Sequence, residues 1–159
     1  MPIPDVSQPN FIQINVDLRL RAYDGKYETT LPWYEDDETG YHVFRGKVRR
    51  SLEELFSLYQ ESCEVYFIEL RKDHSFLPVG FVAFNQWCMP LVIAPSHRNR
   101  HLGRQVVQTL ISRGRQLGYD EMMLQRIYDD NPAALKCFTA GGFKVYAITS
   151  DSSLLHVML

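Results

Sequence analysis

The sequence predicts one α/β domain, of the α+β kind, built on a mixed central sheet of about seven strands flanked by helices. Three observations predict it. Residues 11–23 alternate apolar and polar side chains, as a half-exposed strand does. An apolar run from Met89 to Ala94 leads into a basic, glycine-containing turn and then a long amphipathic helix. Strands and helices interleave only in the second half of the chain, which predicts a parallel pair in the middle of the sheet. The 159 residues suffice for one substantial core, and the domain is read as 1–159.

The elements follow in order. The first strand carries Phe11, Ile12, Ile14, Val16, Leu18 and Leu20, with Asn15, Asp17, Arg19 and Arg21 between them, and Asp24 and Gly25 signal a turn. Residues 25–46 are rich in aromatics and are expected to form loops and short helical turns. Ser51 and Glu54 form a capping-box pattern before the apolar face of Leu52, Leu55, Phe56 and Tyr59, a helix expected to end near Ser62. Three strands follow in quick succession, Val65 to Leu70, Val79 to Phe84 and Pro90 to Ala94, with a turn at residues 72–75. The next helix runs from about His101 to Leu117 and stops at Gly118. Glu121 to Tyr128 is a strand. Asn131 caps a helix with Pro132 in its first turn, and Gly141 and Gly142 close it. Val145 to Thr149 and Leu154 to Leu159 finish as a strand pair.

Composition narrows the function classes. An apolar fraction of 45%, a charged fraction of 23% and a net charge of −2 describe an ordinary globule without the basic footprint of a nucleic-acid binder. No stretch approaches about 18 uninterrupted apolar residues, and the first residues lack the blocks of a signal peptide. The three cysteines are scattered and predict neither a disulfide framework nor a metal site. A cytoplasmic protein is expected, with no metal.

The basic turn carries the chemistry. A turn that opens a helix gathers unpaired backbone N–H groups and the positive end of the helix dipole, and so attracts a phosphate or pyrophosphate. Arg98, Arg100 and Arg104 add positive charge there, the alternative being a solvated helix start. The chain has neither the Gly-Lys-Ser/Thr phosphate loop nor a Gly-x-Gly-x-x-Gly after a strand, so nucleotide hydrolases and dinucleotide oxidoreductases are poorly supported.

These residues resemble a known family. Arg98, Asn99, Arg100, His101, Leu102 and Gly103 fill the Gln/Arg-x-x-Gly-x-Gly/Ala frame of the GNAT superfamily of acyl-coenzyme-A-dependent N-acyltransferases. Asn131, Ala134, Phe138, Gly142 and Phe143 follow a later segment of the same family, and the element order extends the likeness over most of the chain. The resemblance implies a sheet splayed between its fourth and fifth strands, here Leu91–Ala94 and Met123–Tyr128. The pantetheine arm of acetyl-CoA would lie in that wedge beside Leu91, Val92 and Ile93, with its pyrophosphate at residues 98–104. Asn131, Ala134 and Phe138 would flank it. The implied reaction is direct attack of an amine on the thioester, with the oxyanion held by a backbone N–H near Leu91–Ile93. The acceptor is a small-molecule amine or a protein N-terminus, the chain sharing some likeness with the ribosomal-protein acetyltransferase branch.

Two departures stand out. The family's usual acid is a tyrosine where this chain has Phe138, so Tyr128 or solvent is expected to protonate the thiolate. His101 replaces a glycine, and its ring would either crowd the phosphate or donate to it. Glu69 is the candidate base, a salt bridge being the other reading. Trp33 and Tyr34 are candidate acceptor contacts. The acidic residues 35–38 read either as a solvated loop or as a patch that draws in a cationic amine. The competing function is a non-catalytic acyl-CoA-binding module. A monomer or a homodimer through the last strands is expected.

Overall fold

The computed structural model describes residues 6–44 and 51–159. They form two compact units, one of residues 8–44, 51–83 and 90–98, the other of 6–7, 84–89 and 99–159.

The first unit carries a five-stranded sheet in the order β1-β2-β3-β4-β5: Phe11–Gln13, Leu18–Ala22, Glu64–Lys72, Ser75–Phe84 and Leu91–Ile93. The long first strand of the sequence reading is in fact a hairpin, which makes eight strands among the described residues. The Asn15 side-chain oxygen accepts the N–H groups of Asp17 and Leu18 at 2.9 and 3.0 Å, and the carbonyl of Leu18 accepts those of Ile14 and Asn15. Polar residues at the tip keep the two-residue period through the turn, so the alternation hid it. Between β3 and β4, Asp73 and His74 both take positive φ, 49° and 70°, as a two-residue hairpin whose twist matches its strands requires.

Helices α1 (Leu31–Tyr34), α2 (Asp37–Phe44) and α3 (Leu52–Ser62) belong to the same unit. Ser51 caps α3 by accepting from the Glu54 N–H, as the capping pattern predicted. Residues 45 and 46 of the expected loop lie outside the described residues. The core gathers Trp33, Tyr34, Phe56, Val65, Phe67, Phe81, Ala83, Val92 and Ala94. Its aromatic centre is dense, with ring centroids of Phe56 and Phe81 4.8 Å apart and of Tyr23 and Phe56 5.0 Å apart.

The second unit pairs a three-stranded sheet, β6-β8-β7, with two helices. The strands are β6 (Glu121–Tyr128), β7 (Lys144–Ile148) and β8 (Ser152–Met158); the helices are α4 (Leu102–Gln116) and α5 (Pro132–Gly141). Helix α4 buries Leu102, Val106, Val107, Leu110 and Ile111 on one stripe. It ends as predicted at Gly118, whose φ of 83° turns the chain while Tyr119 N–H returns to the Gly114 carbonyl at 3.0 Å. At Gly141 α5 touches α4: a Cβ there would collide with the Val107 side chain. The edge strand β7 slips register between Val145 and Ala147, so Tyr146 has no residue opposite it on β8.

Every ladder of known register is antiparallel. The parallel pair expected mid-sheet is not a hydrogen-bonded pair: β5 ends one sheet and β6 belongs to the other.

Candidate functional site

The site begins at the edge of the five-stranded sheet. Strand β5 is the last strand, paired on one side with β4 in the register Gly80↔Ile93, Phe81↔Val92 and Val82↔Leu91. The Ala83 N–H reaches the Pro90 carbonyl at 3.0 Å and the Ala94 N–H the Val79 carbonyl at 2.7 Å. Residues 90, 92 and 94 therefore spend their backbone groups on β4. By the alternation of an antiparallel ladder, Leu91 and Ile93 turn their N–H and C=O groups away from it, to the sheet edge. Gly80 permits the close approach of the two strands, because a Cβ there would clash with the Val92 carbonyl oxygen. Val92 is buried into the core cluster, while Leu91 and Ile93 are half-buried.

The chain then passes through a 3-10 turn at Pro95–His97 and Arg98 into the predicted basic turn. Asn99 and His101 both take the left-handed conformation, with φ of 63° and 59°. His101 adopts without a glycine the shape a glycine would take freely. It is the N-terminal cap position of α4, yet no side chain caps that helix and no acidic residue sits in its first turn. The first amides of α4, from Leu102 through Gly103 and Arg104, thus start the helix with their N–H groups pointing off its end. Asn99, Arg100, His101 and Arg104 are exposed, Gly103 is half-buried and Leu102 is buried. Among the described residues neither Arg100 nor Arg104 forms an ion pair.

Arg98 differs. Its Nε donates to the Ile93 carbonyl at 3.3 Å, one terminal nitrogen lies 3.4 Å from Asp36 and 3.5 Å from Glu38, and the other donates to the Thr39 hydroxyl. Asp36 caps α2, accepting the Thr39 N–H at 3.0 Å and its hydroxyl at 2.9 Å. These two Thr39 bonds, aided by the Arg98 charge, hold the Asp36 carboxyl below its ordinary pKa. Part of the acidic run at 35–38 is thereby neutralised by Arg98, a pairing no sequence pattern signals across 62 positions.

In the second unit, Asn131 caps α5 as predicted, its side chain accepting the Ala134 N–H at 3.3 Å. Ala134 is half-buried. Phe138 is buried and meets Phe143 edge to face at 6.0 Å. Tyr128 ends β6, half-buried. One feature escaped the sequence reading: β6 bulges between Leu124 and Ile127, with Arg126 left-handed at φ 63°. A glycine or asparagine at that position would have signalled it.

The remaining candidates lie elsewhere in the first unit. Glu69 is 4% exposed, and its two oxygens accept from Arg19 and Arg21, each at 2.8 Å. Arg19 stacks over Phe76 at 3.9 Å and Arg21 over Phe67 at 4.8 Å. This carboxylate is fully engaged in a cross-strand network, the salt-bridge reading of the residue. Trp33 and Tyr34, expected beside an acceptor, are 8% and 4% exposed and pack in the cluster that holds Val92 and Ala94. Burial, with a smaller contribution from Tyr59, pushes the Tyr34 phenol well above its ordinary pKa. Among the described residues no group of three or more His, Cys, Asp or Glu is placed to hold a metal, and no helix is long and apolar enough to cross a membrane.

Comparison with known proteins gives the family and the fold. Residues 27–143 match the model of the acetyltransferase (GNAT) family. Solved structures share the fold. An acetyltransferase (GNAT family) from Bacillus anthracis superposes with a TM-score of 0.78 at 12% identity, covering 93% of this chain and 98% of its own. Spermidine N-acetyltransferase from Vibrio cholerae, in complex with CoA and spermine, gives 0.70 at 17%, covering 91% and 96%. The microcin C7 self-immunity acetyltransferase MccE, in complex with acetyl-CoA and AMP, gives 0.70 at 13%, covering 96% and 98%. No curated protein matches the sequence.

Proposed function

We propose, from the premise that the chain belongs to the acetyltransferase (GNAT) family, that it moves an acetyl group from acetyl-CoA to a primary amine. One observation carries the reading. A strand edge with outward backbone groups at Leu91 and Ile93 runs within a few residues into a left-handed turn and an uncapped 15-residue helix. An extended amide chain ending in a pyrophosphate matches that sequence of partners. Asn99, Arg100, His101, Leu102, Gly103 and Arg104 then meet the pyrophosphate, and Leu91 and Ile93 pair with the pantetheine; Val92, expected beside them, instead faces β4 and the core. Asn131, Ala134 and Phe138 of the second unit are the further cofactor contacts that the family pattern implies.

In the reaction the amine nitrogen attacks the thioester carbonyl carbon. The C–N bond forms, an outward N–H of β5 stabilises the oxyanion, and the C–S bond breaks. The ammonium proton leaves through water, because Glu69 is held by two guanidinium groups. The thiolate takes a proton from Tyr128 or from solvent; a thiol of pKa about 8.5, by analogy with cysteine, needs little help. The acceptor is a small-molecule amine or a protein N-terminus, and the spermine found in the Vibrio cholerae enzyme supports the former class. The second reading, a non-catalytic acyl-CoA-binding module, is favoured by Phe138, which has no proton to give.

Titration calorimetry with acetyl-CoA, ATP and NAD, followed by thiol release from acetyl-CoA with a panel of amines, tests both. Selective acetyl-CoA binding with amine-dependent thiol release is expected. Binding without turnover for any amine would establish the module instead, and no binding would sink both readings.

A further inference from the structure

We propose that Arg98 is a positioning residue that fastens α2 to the outgoing end of β5, and is not a ligand of the cofactor's phosphates. The inference rests on the acetyl-transfer reading for its kinetic consequence and on geometry alone for the latch itself.

The guanidinium is already spent. It bonds the Ile93 carbonyl, Asp36 and Thr39, and lies 3.5 Å from Glu38. Two carboxylates face one cation, so the local charge is negative and disfavours an incoming phosphate. Arg100 and Arg104, exposed beside the left-handed turn, have no such competition among the described residues. The partners of Arg98 are also built rather than incidental. Thr39 is 5% exposed, and Asp36 holds the same Thr39 by two bonds. The contact therefore joins the first turn of α2 to the last outward carbonyl of β5. That carbonyl belongs to the edge which, in the reading above, pairs with the pantetheine arm. Fixing it sets the register of the thioester along β5, and the same residue fixes the helix after Trp33 and Tyr34.

The test compares Arg98→Gln, Asp36→Asn and the double variant. Asparagine caps a helix as well as aspartate does, so Asp36→Asn removes the charge and keeps the cap. Each variant is assayed with acetyl-CoA and with acetyl-pantetheine, which carries the thioester arm but no phosphate. As a latch, Arg98→Gln raises KM for both donors by the same factor, about two- to fivefold for a half-exposed pair. Asp36→Asn reproduces the shift, and the double variant adds nothing to it. A rise confined to acetyl-CoA, untouched by Asp36→Asn, would make Arg98 a phosphate ligand and overturn the proposal. Urea unfolding of the same four proteins without any donor separates the two readings. Non-additive midpoints uphold the latch even if the wild type transfers no acetyl group, and strictly additive midpoints refute it.

Discussion

At the scale of single residues, His101 is the most telling departure from expectation. Its backbone stands at φ 59° and ψ 21°, a conformation that costs an L-residue with a Cβ about 1–2 kcal/mol. Glycine would escape that cost but lose more freedom on folding. His101→Gly is therefore expected to stabilise the protein by about 0.5–1 kcal/mol, seen as a higher urea midpoint at unchanged slope. An unchanged or lower midpoint would mean that the histidine ring earns its place by a contact in the fold. Residues whose role is local were legible in the sequence. Ser51, Asn131 and Gly118 each act on backbone groups within four positions, and each does what its type predicts. Glu69 and Arg98 were not legible in the same way, because their partners lie about 50 and 60 positions off. Chain proximity says nothing about such pairs.

At the scale of elements, β5 depends on its neighbour. Three residues make a marginal strand, and only the backbone contact with β4 at Gly80 lets it sit where its outer groups are usable. Gly80→Ala must push the Val92 carbonyl aside. A loss of about 1–3 kcal/mol in urea unfolding is expected, together with at least a tenfold weaker acetyl-CoA dissociation constant by calorimetry. Retained affinity in a folded Gly80→Ala protein would remove β5 from the cofactor site. Helices α3, α4 and α5 and strands β5 to β8 were legible to within a residue or two, since their apolar periods are long, whereas α2 falls where only loops and short turns were expected and β4 begins four residues before the expected Val79. The hairpin at 11–22 was not. Val16 at its tip is 73% exposed, an apolar side chain that carried the strand pattern through a turn it does not stabilise.

For the whole molecule, the family could be recognised from two short motifs and the order of elements, because backbone geometry around a phosphate tolerates few alternatives. The acceptor could not, because the aromatic residues that seemed to announce it are core. A ligand that binds only the folded chain adds about 2.7 kcal/mol at a hundredfold excess over its dissociation constant. For a chain of this size, at about 2–4 °C per kcal/mol, acetyl-CoA should raise Tm by about 5–10 °C in a scanning experiment. An equal concentration of NAD should leave it unchanged, and a shift of similar size with NAD would point to nonspecific anion binding. The kink at Tyr146 has its own consequence for the behaviour of many copies together. It breaks the regular row of donors and acceptors that another molecule would need to copy, so Val145, Tyr146 and Ile148 can meet water without seeding stacked, fibre-like growth.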